Sequence, residues 1–309
     1  MTTLETSLEH TLEHGQPHFT SGQWDNGTFG VQNWLERTPW RTLRDTRYGY
    51  RSNIAPPSNL LWKDPLLNQI YKLDIATFLT AEKLSVDGIS RLVSLAPDEG
   101  SQIFMATQAL DEARHFEVFS RRLADFGVCP NERNALMASV TTKEMQKFYD
   151  LITEQVDKGD YVSAMVAHNI ILEGMAYPVY RYEIKYWSRL DPGLSQIIQG
   201  AFADEVHHVS YGEAYIRSLI AGNIGLRNRI ACLLGDFERL MTDVFEAVIH
   251  HYIGLYQEAA RAHLDLMGDI MIFPGKKIAD LSEEDQVRLL LQEVMQEHCN
   301  RLVTLGITV

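Results

Sequence analysis

The chain has 309 residues, of which 45% are hydrophobic, and it carries a formal net charge of −13 with a pI near 5.3. A chain of this length and composition can bury a large core, either as one big helical domain or as two ordinary ones. The acidic balance leaves no general basic field for phosphate groups, so neither nucleic acid nor an anionic membrane is predicted as a partner. Small molecules and other proteins remain as candidate partners.

Cysteine usage and the composition of the N-terminal residues indicate the cellular compartment in which the protein is expected. Cys129, Cys232 and Cys299 include no Cys-x-x-Cys pair, which argues against a disulfide scaffold, a thiolate zinc site or an iron–sulfur cluster. The beginning of the chain has neither the basic start nor the apolar run of a secretory signal, and no apolar stretch reaches the ~18 residues of a membrane-spanning helix. A soluble, cytoplasmic protein is therefore expected.

The first part of the chain, residues 1–60, is rich in Gly, Pro, Asn, Thr and Trp and shows no sustained hydrophobic period. Trp24, Trp34, Trp40 and Trp62 indicate that this segment is packed down on a core, because large aromatic side chains are stabilised by burial. We predict an N-terminal arm over residues 1–60 that wraps a single helical domain over residues 61–309.

Helix signals follow one another through the rest of the chain, and caps, prolines and glycines mark their ends. The predicted helices run from Pro65, capped by Asp64, to Pro97, from about Asp98 to Gly127, from the capping-box pair Thr141 and Glu144 to Gly159, from about Asp160 to Leu190, from Pro192 to about Ala221, from about Leu226 to His263, and from about Glu283 to Leu305. Strand signals are weak throughout. Long helices joined by tight turns favour antiparallel neighbours, so the prediction is an all-α bundle.

Two of these helices carry the pattern Asp-Glu-x-x-His, as "DEARH" at 111–115 and "DEVHH" at 204–208. Residues three apart project from the same face of a helix, so Glu112 with His115, and Glu205 with His208, can each hold one ion. A single Glu-x-x-His is more often part of a solvated face than a ligand pair. Its duplication on two long helices is what favours a metal centre.

A carboxylate metal centre in a helical bundle needs one further Glu from each of the two remaining helices. The turn at Pro97 lies fifteen residues before Glu112, and fifteen residues back from the turn is Glu82. With a rise of 1.5 Å per residue, both would lie about 22 Å from the turn, whereas Asp74 would be about 12 Å too far away. Glu82 is therefore the predicted ligand of the first helix.

The second hairpin supplies the fourth carboxylate. The stretch "YVSAMVAHNIILEGMAYPVY" contains Glu173 as its one formally charged residue, and an isolated buried carboxylate is costly unless it is paired or metal-bound. The predicted metal ligands are Glu82, Glu112, His115, Glu173, Glu205 and His208. Oxygen-rich ligation with one nitrogen per ion suits iron or manganese.

Asp111 and Asp204 directly precede the two motif glutamates. A metal-binding histidine usually donates its second ring N–H to a carboxylate, so we expect each aspartate to orient the imidazole of the opposite helix.

This residue set resembles the ferritin-like dimetal-carboxylate superfamily, in particular the branch that contains the ribonucleotide reductase small subunit and the bacterial multicomponent monooxygenase hydroxylases. The resemblance covers roughly residues 65 to 222: "DEARHFEVF" is similar to the first motif of the hydroxylases and "DEVHHVSYG" to the second motif of the reductase subunit. "NWLERTPWRTLRDTRYGYR" is similar to the N-terminal arm of the hydroxylases. The resemblance implies a ferritin-like four-helix bundle with additional helices, and an O2-activating centre of two iron ions or of manganese and iron.

Three departures from the family patterns bear on function. Phe119 stands where the radical-forming reductase subunit has a tyrosine, so a stored tyrosyl radical is not expected at that place. Tyr177 stands where the hydroxylases have a threonine. Ser85 and His168 take the places of the Val and Tyr that become cross-linked in the reductase-like ligand-binding oxidases, so that cross-link is not expected.

The surroundings of Glu173 contain the candidate catalytic residues. Tyr177 and His168 lie about one turn from it and are either catalytic or packing residues, two readings that the sequence leaves open. Gly174 and Pro178 predict a loosened or kinked helix, as is common beside functional sites, and with it a substrate cavity.

The resemblance implies an oxygenase that uses O2 to hydroxylate or otherwise oxidise a small organic substrate. Because the chain has no Gly-x-Gly-x-x-Gly unit for a flavin or nicotinamide, electrons are expected from a separate reductase or ferredoxin, or oxidising equivalents from peroxide. A homodimer is expected. The alternatives are a radical-generating oxidase subunit like that of ribonucleotide reductase, an iron-storage subunit, and a noncatalytic scaffold subunit.

Overall fold

The computed structural model describes residues 29–31, 33–34 and 54–307. Most of the predicted N-terminal arm, including Trp24 and Trp40, lies outside the described residues. Of its remainder, Phe29 is buried edge-on against Phe104, and Trp34 donates a hydrogen bond to Asp111. These contacts show two points at which the chain before residue 60 touches the bundle.

The described part of the chain is almost entirely helical, which confirms the all-α prediction. Its helices are α1 (Leu60–Lys63), α2 (Pro65–Leu95), α3 (Glu99–Asp125), α4 (Pro130–Val140), α5 (Lys143–Asp157), α6 (Tyr161–Met165), a π-helical segment (Val166–Glu173), α7 (Gly174–Trp187), α8 (Pro192–Ile220), α9 (Ile224–Ala262), α10 (Leu264–Met267), a 3-10 turn (Ile278–Asp280) and α11 (Glu283–Thr304). None of the helices in this part of the chain combines the length and the apolar composition that a membrane crossing requires.

One local prediction was wrong, and one helix was missed. The helix predicted to start at Thr141 is α5, and its cap is Thr142, whose Oγ1 accepts a hydrogen bond from the Met145 N–H. The helix α4 was not predicted; Pro130 occupies its first turn, where proline has no N–H to lose.

A short antiparallel hairpin of β1 (Met271–Phe273) and β2 (Lys276–Lys277) was also not predicted from the sequence. Gly275 has a φ of +69° in its turn, a backbone conformation that glycine adopts without a steric cost. Strands of three and two residues are too short to show the alternation on which a sequence prediction depends.

The ferritin-like bundle consists of two antiparallel hairpins, α2 with α3, and the α6–π–α7 run with α8. A buried network holds them in register: Asp191, in the turn before α8, accepts hydrogen bonds from the Tyr71 hydroxyl at 2.6 Å and from Arg122 Nε at 3.0 Å. The same carboxylate accepts from the Leu194 N–H and caps α8. Because Tyr71 lies on α2 and Arg122 on α3, this network fixes the depth of one hairpin against the other.

The third long helix is interrupted, as Gly174 and Pro178 predicted. The irregular turns are π-helical and precede Gly174. Pro178 has no N–H for the Gly174 carbonyl, which instead accepts a hydrogen bond from Arg301 Nη1 at 3.0 Å. A Cβ at residue 174 would lie 3.0 Å from that same Nη1, so a larger residue would force the guanidinium to move by a few tenths of an ångström.

The contact between α8 and the π-helical segment is close because residue 212 is glycine. A Cβ there would lie 3.0 Å from both Asn169 Cβ and Ile170 Cδ1. Asn169 and Ile170 lie in the segment that ends at Glu173, so this packing sets the position of a predicted ligand.

Replacing Gly212 by Val should lower the melting temperature by several degrees, because overpacking a tight core contact costs about 1–3 kcal/mol. The matched control is Gly235→Val on α9, where an added Cβ meets no atom within 4 Å and the loss of glycine favours the helix. Thermal unfolding followed by circular dichroism measures both. Equal melting temperatures for the two variants would contradict the tight packing.

Candidate metal centre

The structure brings the six predicted ligand side chains together in the core of the bundle. One ligand atom from each of Glu82, Glu112, His115 and Glu205 lies within 4.8 Å of the others, and the same holds for Glu112, Glu173, Glu205 and His208. Two glutamates, 112 and 205, belong to both groups. Each group therefore offers one histidine and one glutamate of its own together with two shared carboxylates.

Several distances between ligand atoms within the groups are those expected for two atoms that bind one ion, although His208 Nδ1 also lies at hydrogen-bond distance, 3.1 Å, from Glu205 Oε2. His115 Nδ1 lies 3.4 Å from Glu82 Oε2 and 3.6 Å from Glu205 Oε1, and His208 Nδ1 lies 3.5 Å from Glu173 Oε1. Two ligand atoms that are each about 2.0–2.2 Å from one ion would lie roughly 3.0–3.5 Å apart at ordinary bond angles.

Some polar atoms of the cluster have no hydrogen-bond partner among the described residues. They include Glu112 Oε1, His115 Nδ1 and Glu173 Oε2, all on side chains that are at most 5% exposed. Buried polar atoms are normally satisfied, so their convergence fits cations between them. The donor set of carboxylates and imidazoles therefore suits two divalent ions such as iron or manganese.

The charges of the cluster are strongly coupled. Burial raises the pKa of Glu112 well above its ordinary value and, together with the charge of Glu173, raises the pKa of Glu205 to about 8. Burial alone would also raise the pKa of Glu173, but His208 and His168 lower it to about 2. Divalent cations would take the place of the protons that otherwise compensate these carboxylates.

Each predicted aspartate lies against the histidine of the other motif. Asp204 Oδ2 is 3.0 Å from His115 Nε2, and Asp111 Oδ2 is 3.3 Å from His208 Nε2. Arg114 joins the two carboxylates, with Nη1 donating to Asp111 and Nη2 donating to Asp204 at 3.1 Å. These contacts on Nε2 leave both Nδ1 atoms directed at the cluster.

The two candidate catalytic residues occupy different surroundings. His168 Nδ1 lies 3.0 Å from Glu173 Oε1, since residues five apart are brought together in a π-helix. The Tyr177 hydroxyl donates instead to the backbone carbonyl of Glu205 at 3.5 Å, and its ring lies under the Arg301 guanidinium at 4.8 Å. The structure thus brings His168 to a predicted ligand carboxylate and does not bring the Tyr177 hydroxyl to one.

Sequence reasoning missed three polar residues that touch the cluster. Tyr180 donates from its hydroxyl to Glu205 Oε1 at 3.4 Å, and Gln108 Nε2 donates to Glu173 Oε1 at 2.8 Å. Asn169 Nδ2 in turn donates to Gln108 Oε1 at 3.0 Å. Helical spacing could have found Gln108, which is four residues before Glu112, and Tyr180, which is seven after Glu173.

An apolar cavity of about 140 Å³ lies beside the cluster, and Tyr180 forms part of its wall. Ala81 and Leu172, each next to a predicted ligand in the sequence, also line it, together with Phe78 and Phe148. The cavity therefore reaches the level of the metal ligands, in the part of the bundle where a substrate cavity was predicted.

Solved structures are similar to this chain over nearly its whole length. An R2-like ligand-binding oxidase variant with an anaerobically reconstituted Mn/Fe cofactor matches with a TM-score of 0.65 at 17% identity, covering 91% of this chain and 94% of the other. The oxidase with its aerobically reconstituted metal cofactor after photoconversion matches with a TM-score of 0.62 at 16% identity, covering 91% and 93%. The chain has the ribonucleotide reductase small subunit-like, ferritin-like fold. No protein-family model matches it, and no curated protein matches it.

By the resemblance, the position of the radical tyrosine in reductase subunits corresponds to Phe119 in this chain. Phe119 is fully buried and stacks on Phe78 with ring centroids 4.9 Å apart. Ser85, at the place of the valine in the cross-link, is buried on the same helix as Glu82.

Glu82→Gln and Glu173→Gln should each lower the metal content of the loaded protein from two ions toward one, because each removes the carboxylate that one group does not share. The matched control is Glu117→Gln, an exposed position on α3. Elemental analysis after anaerobic loading with Fe²⁺ or Mn²⁺ gives the count. Two retained ions in both variants would contradict the assignment of ligands.

Proposed function

We propose that this protein is an O2-activating dimetal oxidase that oxidises a small organic substrate by hydroxylation or another two-electron oxidation. The observation that carries the proposal is the pair of four-ligand groups sharing Glu112 and Glu205, buried beside an apolar cavity. The fold neighbours are ligand-binding oxidases with a Mn/Fe cofactor, which supports a Mn/Fe or di-iron pair here. A reduced pair of ions would supply the electrons and open coordination positions that reaction with O2 requires.

The protein's own side chains would position the metal ligands, hold protons and exclude water. Asp204 and Asp111 orient the two imidazoles, and Gln108 fixes one oxygen of Glu173. His168 adds a ring nitrogen 3.0 Å from the same carboxylate, which suits it to hold a proton there. Tyr177 serves a positioning role in this scheme, because its ring packs against Arg301.

Hydroxylation inserts one oxygen atom of O2 into a C–H bond and reduces the other to water, which consumes two further electrons and two protons. We therefore propose a separate electron donor, a reductase or a ferredoxin, together with a homodimeric assembly in the cytoplasm. Three free, exposed cysteines and the net charge of −13 are compatible with a reducing compartment and with partners other than nucleic acid. The radical-generating alternative is less favoured, because Phe119 replaces the radical tyrosine.

Oxygen uptake tests the proposal. The protein loaded anaerobically with Fe²⁺ or with Mn²⁺ and Fe²⁺ should consume O2 when exposed to it, measured with an oxygen electrode. Glu112→Ala should abolish the uptake, since that carboxylate belongs to both groups, whereas the exposed Glu117→Ala on the same helix should retain it.

Electron paramagnetic resonance after the addition of O2 separates the two candidate functions. We expect no persistent tyrosyl radical in the wild-type protein. A long-lived tyrosyl signal would support the radical-generating alternative. Absence of O2 uptake from protein that holds two ions would refute an O2-activating function.

A further inference from the structure

A second pair of buried acids lies outside the metal centre. Asp74 on α2 is 4% exposed and Glu183 on α7 is 5% exposed. The Asp74 carboxyl lies within hydrogen-bonding reach of Glu183, and no Lys, Arg or His of the described residues is among the main influences on the pKa of either group. A buried negative charge without a cation is costly, so this pair needs an explanation that the metal centre does not give.

Few donors compensate the pair. Trp187 Nε1 donates to Asp74 Oδ2, and the Tyr256 hydroxyl donates to Glu183 Oε1 at 2.9 Å. No N–H or O–H donor among the described residues reaches Glu183 Oε2. Burial raises the pKa of Asp74 to about 6, and burial followed by the charge of Asp74 raises the pKa of Glu183 well above its ordinary range. Near neutral pH the two groups therefore hold one proton and one negative charge.

Both acids line the cavity that lies beside the metal centre. Around them the wall is aromatic, with Tyr182, Tyr252 and Tyr256 among the lining side chains. A carboxylate combined with aromatic faces is a recurring way to bind an organic ammonium group. A carboxylate ligand would be repelled here, and an alcohol would make only a neutral hydrogen bond.

The pair lies at the end of the cavity away from the metals. Asp74 precedes Glu82 by eight residues on α2, which is about 12 Å of helix rise, and Glu183 follows Glu173 by ten residues, which is about 15 Å. The cavity volume of about 140 Å³ is close to that of an engineered apolar cavity that binds benzene. A ligand that fills this volume with its polar group at the acid pair would be about the size of one aromatic ring.

We propose that Asp74 and Glu183 bind the protonated amine of a small substrate whose apolar part fills the cavity toward the metal centre. The role of this amine as a substrate rests on the proposed function, whereas its binding does not.

Calorimetric titration of the metal-loaded protein tests the binding. The probes are benzylamine and 2-phenylethylamine, the neutral 2-phenylethanol and the anionic phenylacetate. We expect the better amine to bind at least about 10-fold tighter than the alcohol, because a hydrogen bond to a charged group is stronger than a neutral one, and phenylacetate to bind weakest. Equal affinity for amine and alcohol, or no binding of either amine, would overturn the proposal.

The double variant Asp74→Asn/Glu183→Gln keeps the side-chain shapes and removes the negative charge whichever acid carries it, so it should abolish the preference for the amine. Asp243→Asn is the matched control, an exposed acid on α9 next to the cavity-lining Val244, and should retain it. A preference that survives in the folded double variant would overturn the proposal, and the wild-type comparison decides if that variant does not fold. Amine binding without any O2 uptake would refute the proposed function alone, whereas O2 uptake without an amine preference would refute this inference alone.

Discussion

The burial of four glutamates at one depth of a helical bundle is the constraint on which the rest of the structure depends. Isolated carboxylates in an apolar core would be prohibitively costly, so they must be compensated by protons, imidazoles or metal ions. Compensation by shared ions works only if all four helices present their ligands at the same level. The Tyr71–Asp191–Arg122 network supplies that registration, because one turn carboxylate is held by both helices of the other hairpin.

An irregular stretch of helix then positions a side chain that a regular α-helix would direct elsewhere. The π-helical segment brings His168 onto the carboxylate of Glu173, a contact that the 100° per residue of an α-helix would turn away. The irregularity is stabilised from a distance, since Arg301 satisfies the carbonyl that Pro178 leaves without a donor. The glycine at 174 leaves room for this close approach of the guanidinium. Residues separated by more than a hundred positions thus cooperate to shape one turn beside the site.

Much of this was visible in the sequence because it depends on spacing. Helix rise alone places Glu82 level with Glu112, and the duplicated motif anticipates which side chains converge. The rest depends on contacts that spacing does not encode. Tyr177 and Tyr180, four and seven residues after Glu173, lie on one face of the helix, so spacing does not distinguish them. The structure does: the Tyr177 ring stacks on the distant Arg301, whereas the Tyr180 hydroxyl donates to the Glu205 carboxylate. The predicted arm over residues 1–60 remains a prediction for most of its length.

Glu183, ten residues after Glu173 on the same run of helix, is likewise a buried carboxylate that needs a compensating partner. In the metal-ligand cluster, histidines and a donor set suited to cations compensate the negative charge of the carboxylates. The charge of Asp74 and Glu183 is compensated only in part, by one proton that the two acids share. One cavity is lined by this acid pair and lies beside the metal-ligand cluster. A basic nitrogen held at the far pair would stay about 12–15 Å from the level of the metal ligands, given the rise of an α-helix. Oxidation at the metal centre would then fall on a carbon of the substrate and leave the nitrogen untouched.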